Sequence, residues 1–253
     1  MAWSKDPSLR GFFKGITNCL SALLAAGRYE EIVELLDMAP YDMGCYRQYG
    51  VMALAAMGRK AEAIGYEEES RGLNDSPVAI ARACEEIPLS SGLVDEAYRR
   101  YGLVASRAGT HLAWFRAVAR KYPHKKPAEV LEDLVELTPG KEGKWFAAAK
   151  SAKLFDEAVA LANRAPCSPQ ALTRAARDFV RGNPAFALEA GLAALRWIVE
   201  GYGYEVTGLD VLDADTYTMR VPETGDRVRG LLAGDAPGRD FAAAALDRHI
   251  GPS

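Results

Sequence analysis

The sequence predicts an all-α fold, an α-solenoid of about six helix-turn-helix repeats closed by a helical C-terminal cap. Three observations carry that prediction. Alanine and leucine recur throughout while isoleucine and threonine are sparse, a bias toward helix over strand. Apolar residues keep three- and four-residue spacing inside short segments, as Ile32, Leu35 and Leu36 do. A turn of similar chemistry returns at near-constant intervals from Gly27 onward.

The elements follow in chain order. "LLAAGRYEEIVELLDMAP" (23–40) ends one helix, turns at Gly27 and runs a second helix to Pro40. "LAAMGRKAEAIGY" repeats the turn at Gly58, and "PLSSGLVDEAYRRY" repeats it at Gly92. Between them "DSP" (75–77) places a serine cap before a proline at the first helical position, which marks a helix start. Pro88 falls inside that helix and should kink it or end it a turn early. "AVARKYPHKKPAEVLEDLVEL" supplies a further pair broken around Tyr122 and Pro123, with His124 in a solvated loop.

"PGKEGK" (139–144) reads as a helix opening, and "AAKSAKLFDEAVALA" as a pair turning at Ala152. In its second helix Leu154, Phe155, Ala158 and Leu161 form the apolar stripe. "CSP" (167–169) starts the next helix, and "DFVRGNPAFALEAGLAAL" turns at Gly182. The turns at 27, 58, 92, 122, 152 and 182 therefore define six hairpins. After Glu200 glycine and aromatic residues dominate, and short helices are expected near 209–220, 226–233 and 239–250. This divides the chain into an array over 1–200 and a C-terminal helical cap with a partly flexible end over 201–253.

"GRYEEIVELLDMAP" and "AKLFDEAVALANRAP" resemble the tetratricopeptide-type hairpin, a turn followed by an aromatic residue, acidic residues and a helix ending at proline. The proline comes early, and the W-x-x-L-G-x-x-Y element of the first helix is absent, so the resemblance is to a degenerate relative. It implies a right-handed superhelix whose first helices line the concave side.

Composition excludes several classes. With 49% hydrophobic and 26% charged residues the chain carries enough apolar surface to fold, and no apolar run approaches the roughly 20 residues of a membrane span. The N-terminus lacks the order of a secretory signal, which points to a cytoplasmic protein. Cys19, Cys45, Cys84 and Cys167 form no CxxC pair and read as small core residues. His111, His124 and His249 are too scattered for a metal or base cluster, so no cofactor is expected. No HExxH, GxSxG, Walker or dinucleotide motif occurs. Carboxylate pairs in "YEEI", "ACEEI" and "LFDEAV" read as helix starts and solvent faces, not catalytic dyads. The sequence points away from an enzyme.

Charge is more informative. The net charge is −3 over 1–110, +4 over 111–200 and −4 over 201–253. Lys144 and Arg174 lie 30 residues apart, each eight before its turn, with Arg116 near the matching place in the unit between. If that register holds they stack into a basic stripe, widened by Arg120, Lys121, Arg177 and Arg181; otherwise they solvate amphipathic faces. The expected function is a protein-interaction scaffold taking an acidic peptide or protein surface in a basic groove. The alternative is a nucleic-acid-binding helical-repeat protein, a glycosylase-like enzyme included, with Trp114, Trp145 or Trp197 stacking on bases. Those tryptophans sit on apolar helices, where core packing is the competing reading.

Overall fold

The computed structural model describes residues 13–41, 43–69, 77–203 and 224–250, with Asp6, Gly11, Asp210, Val211 and Ala214. Every regular element among the described residues is helical. Asp75 and Ser76 of the "DSP" start, and most of the helix expected at 209–220, lie outside them.

The chain divides into two compact units, Met1–Gly109 with Arg120–Pro123, and Thr110–Ala119 with His124–Ser253. The first holds α1 (Ile16–Ala25), α2 (Tyr29–Asp37), α3 (Gly44–Ala56), α4 (Lys60–Glu68) and α5 (Pro77–Ser90). After these come α6 (Val94–Ala97), a π-helical turn (Tyr98–Gly102) and α7 (Leu103–Ala105). In this unit α3 packs on α1, α2, α4 and α5. Its Tyr46 and Ala53 join Ile16, Leu20, Ile32 and Leu36 in one core, while Val51 and Leu54 join Ile80, Cys84 and Ile87 in another. A helix buried on two faces must be apolar on both, and "YGVMALAA" is.

α8 (His111–Lys121) begins in the second unit and ends in the first. The second unit continues with α9 (Pro127–Glu136), a 3₁₀ turn (Glu142–Trp145), α10 (Phe146–Ser151), α11 (Phe155–Arg164), α12 (Pro169–Phe179) and α13 (Pro184–Val199). The 3₁₀ turn, which begins in "PGKEGK" and ends at Trp145, opens α10, as the sequence suggests. α12 lies along α13, α11 packs on α10 and α13, and α14 (Thr224–Leu232) and α15 (Arg239–Ile250) cover α13. α13 is buried almost all round, from Phe186 to Val199. Phe146, Phe155, Phe179 and Phe186 form an aromatic cluster with centroid separations of 4.8–6.1 Å.

The recurring turn has one hydrogen-bond pattern. At Gly27 the Arg28 N–H donates to the Leu23 carbonyl (3.0 Å) and the Gly27 N–H to Leu24 (3.1 Å), a Schellman closure. The wider bond returns at Arg59 to Leu54 (2.9 Å), Leu93 to Pro88 (2.9 Å) and Leu154 to Ala149 (3.0 Å). The residue at the bend takes positive φ each time: 71° at Gly27, 79° at Gly58, 74° at Gly92, and 62° at Lys153. The fourth closure therefore turns at Lys153, one residue after the Ala152 that spacing suggested.

The end of α13 closes the same way, with the Tyr202 N–H on the Trp197 carbonyl (2.8 Å) and φ 81° at Gly201, whereas the turns at 122 and 182 use other chemistry. Gly182 is not among the positive-φ glycines; Asn183 instead caps α13, its Oδ1 accepting from the Phe186 N–H (3.2 Å), with Pro184 next. At the α8–α9 break Tyr122 is fully buried and His124 exposed. Pro88 does not stop α5 a turn early, because the helix runs to Ser90 and the Pro88 carbonyl accepts the Schellman bond. Leu154 is the half-buried cap of α11 and not part of its apolar stripe.

Candidate functional site

α12 carries two of the predicted site residues, Arg174 and Arg177, beside one cavity. Ser168 Oγ accepts from the Ala171 N–H (3.4 Å) and Pro169 begins the helix, which sets its phase. Leu172, Ala175 and Ala176 are then buried, while Arg174, Arg177 and Arg181 fall at three- and four-residue spacing on the exposed side. Gln170, Thr173, Arg174 and Arg177 line a cavity of about 330 Å³ together with Asp210. Thr173 turns its hydroxyl to the Pro169 carbonyl (3.0 Å), and Arg174 Nε donates to the Gln170 carbonyl (3.1 Å). Arg177 donates through Nε and Nη2 to Asp178 Oδ1, both at 3.1 Å. The cavity offers two guanidinium groups and an amide as donors suited to carboxylate or phosphate oxygens, set beside the Asp210 carboxylate.

The other predicted cations lie elsewhere. Arg116 is exposed and donates through Nη2 to Ser151 Oγ (3.0 Å). Lys144 is exposed at the end of the 3₁₀ turn, Arg181 is exposed past the end of α12, and Arg120 belongs to the first compact unit. Only Arg174 and Arg177 of the predicted set line the cavity. Trp114, Trp145 and Trp197 are all buried, so none presents a face for base stacking. Trp145 Nε1 donates to Thr138 Oγ1 (2.8 Å) and Trp197 Nε1 to the Ala162 carbonyl (2.7 Å), which satisfies both indoles inside the core.

Lys121, expected to widen a groove, is committed to a different structure. Its ammonium donates to Glu85 Oε2 (2.5 Å), and the Tyr122 hydroxyl donates to Glu85 Oε1. Glu85 is fully buried, contrary to the solvent-face reading of "ACEEI"; its neighbour Glu86 is exposed. Burial, and next the Glu85 carboxylate, push the Tyr122 phenol far above its ordinary value, which keeps it a donor. Helical spacing held the signal, because position 85 lies four residues after Ala81 and three before Pro88, both buried. The cluster ties the end of α8 to α5 inside the first unit.

Among the described residues no group of three or more His, Cys, Asp or Glu side chains could hold a metal ion, and no helix is long and apolar enough to cross a membrane. No protein-family model matches the chain, and neither the curated proteins nor the solved structures give a significant match.

Proposed function

We propose that the chain is a non-catalytic, cytoplasmic helical-repeat scaffold whose six helix pairs stack as a solenoid and which binds an acidic peptide or protein surface through the cations of α12. The cavity that brings Arg174 and Arg177 beside Gln170 and Thr173 carries the reading. Two guanidinium groups three residues apart line one space with the Asp210 carboxylate, and an incoming carboxylate there gains charge-assisted hydrogen bonds from the N–H groups that Asp178 and the Gln170 carbonyl leave open. Consecutive helix pairs packed on one another within the first unit support the repeat architecture. Buried tryptophans favour a protein partner over nucleic acid.

The test is recovery of partners from native-cell extract by the parent and by Arg174→Glu with Arg177→Glu, identified by mass spectrometry. Both residues are exposed, so the melting temperature should hold while acidic partners are lost. Lys144→Glu joins the test: if first helices stack in register, it weakens the same binding. Unchanged recovery by the double variant at an unchanged melting temperature refutes the site. Recovery of nucleic acid in place of protein, with a salt slope flattened by the double variant, refutes the class of partner.

A further inference from the structure

The same unit carries a second surface of opposite sign. Ala128, Leu131 and Val135 on α9 face Ala160 and Leu161 on α11, with Pro139 at one end, and together they floor a groove of about 470 Å³. Leu131 and Leu161 are core residues whose outer edges form its base. Four carboxylates, Glu132, Glu136, Glu142 and Glu157, stand around that floor against a single cation, Arg164. Glu132 and Glu136 are one helical turn apart and exposed, as is Glu157 across the groove.

We infer that the groove between α9 and α11 docks a basic amphipathic helix of a partner protein, its apolar stripe on Leu131, Val135 and Leu161 and its flanking lysines or arginines on Glu132, Glu136 and Glu157. Charge complementarity chooses the occupant. An acidic ligand meets repulsion from four carboxylates, whereas a helix with cations at three- and four-residue spacing matches the rim turn for turn. A second copy of the chain is a poor occupant: its basic helices α8 and α12 already bury their apolar faces, Trp114, Phe115 and Val118 on one and Leu172, Ala175 and Ala176 on the other. The backbone N–H groups of Glu142 and Gly140, the latter 3.2 Å from the Glu142 carboxylate, hold that carboxyl below its ordinary value, with Arg164 adding to the effect.

The probe is a fluorescein-labelled peptide of about 14 residues with leucines at helical spacing and lysines elsewhere, about four turns long. Two controls keep its length: one carries glutamate for every lysine, the other serine for every leucine. Titrated against the full chain by fluorescence anisotropy, the lysine–leucine peptide should bind at least about tenfold tighter than either control. Its affinity should fall about tenfold or more in Glu132→Lys with Glu136→Lys at an unchanged melting temperature, and should weaken with salt. Glu132→Gln with Glu136→Gln should lower affinity in the same direction and serves if charge reversal disturbs folding. Arg174→Glu with Arg177→Glu should leave this binding intact, so failure of the α12 site and failure of this groove are read separately. Absence of binding, equal binding of the controls, or full retention by both glutamate variants overturns the inference.

Discussion

Lys153 holds the one positive φ among the described non-glycine residues, at a closure where four glycines, Gly27, Gly58, Gly92 and Gly201, occupy the equivalent place. Replacing it with glycine isolates a backbone effect, because the lysine side chain is exposed and its helix partners are unchanged. Relief of the left-handed conformation is worth about 1–2 kcal/mol. The added freedom of glycine in the unfolded chain takes back about 0.4–1 kcal/mol. Lys153→Gly should therefore stabilise the second unit by about 1 kcal/mol. Gly58→Ala and Gly92→Ala should lose about the same, and purely through φ, since a Cβ at either position meets nothing within 4 Å. Urea titration followed by tryptophan fluorescence, in a background where Trp3 of the first unit is replaced by phenylalanine so that Trp114, Trp145 and Trp197 of the second carry the signal, reads the Lys153 change directly. With a slope of about 2–3 kcal/mol/M the midpoint should rise by about 0.3–0.5 M. A lower midpoint for Lys153→Gly at unchanged slope would refute the reasoning.

The buried Glu85 cluster and one close backbone approach give three more expectations. Glu85→Ala should cost about 3 kcal/mol, since it opens a cavity and strands the buried Tyr122 hydroxyl; Glu85→Gln, which keeps an acceptor, should cost about 1 kcal/mol, and equal losses in chemical denaturation would show that the carboxylate has no such role. Because Tyr122 holds its proton more tightly folded than unfolded, its contribution is complete below the ordinary tyrosine value of 10.0 and is lost as pH rises above it; Tyr122→Phe should remove that part of the alkaline fall in melting temperature, and an unchanged alkaline profile counts against the assignment. Gly143→Ala places a Cβ 2.3 Å from the Pro166 carbonyl oxygen and 2.6 Å from that of Ala165, so it should lose about 2–3 kcal/mol, and a thermal melt matching the parent would refute that packing.

Helix boundaries were the most legible part of this chain, because glycine at a Schellman bend and serine before proline act through local chemistry that spacing exposes. Lys153 escaped that reading for the same reason, as a lysine carries no local signal for positive φ. Glu85 was hidden by its own charge: assigning carboxylates to solvent overrode a helical phase that placed it inside. For the basic site, residue type identified Arg174 and Arg177, but their companions Gln170 and Thr173 emerge only from the phase of α12. Summing charge by segment concealed the acidic groove, since Lys125 and Lys126 offset Glu132 and Glu136 in the count while standing outside its lining. Its other wall comes from α11, and no period within the sequence says which side chains of two separated helices face each other.

The four cysteines, none in a disulfide, mark out α1, α3, α5 and the connection between α11 and α12. Cys19 and Cys45 are half-buried, while Cys84 and Cys167 are buried. Burial pushes the Cys167 thiol up to about 12, partly offset by the Ser168 N–H, so the reactive thiolate forms there only when that segment opens. Alkylation by a small electrophile, timed and read peptide by peptide, thus records opening frequencies at four places in one native chain. Evolution has in effect supplied a set of chemical clocks, and their separate rates would report which helices breathe without any label being introduced.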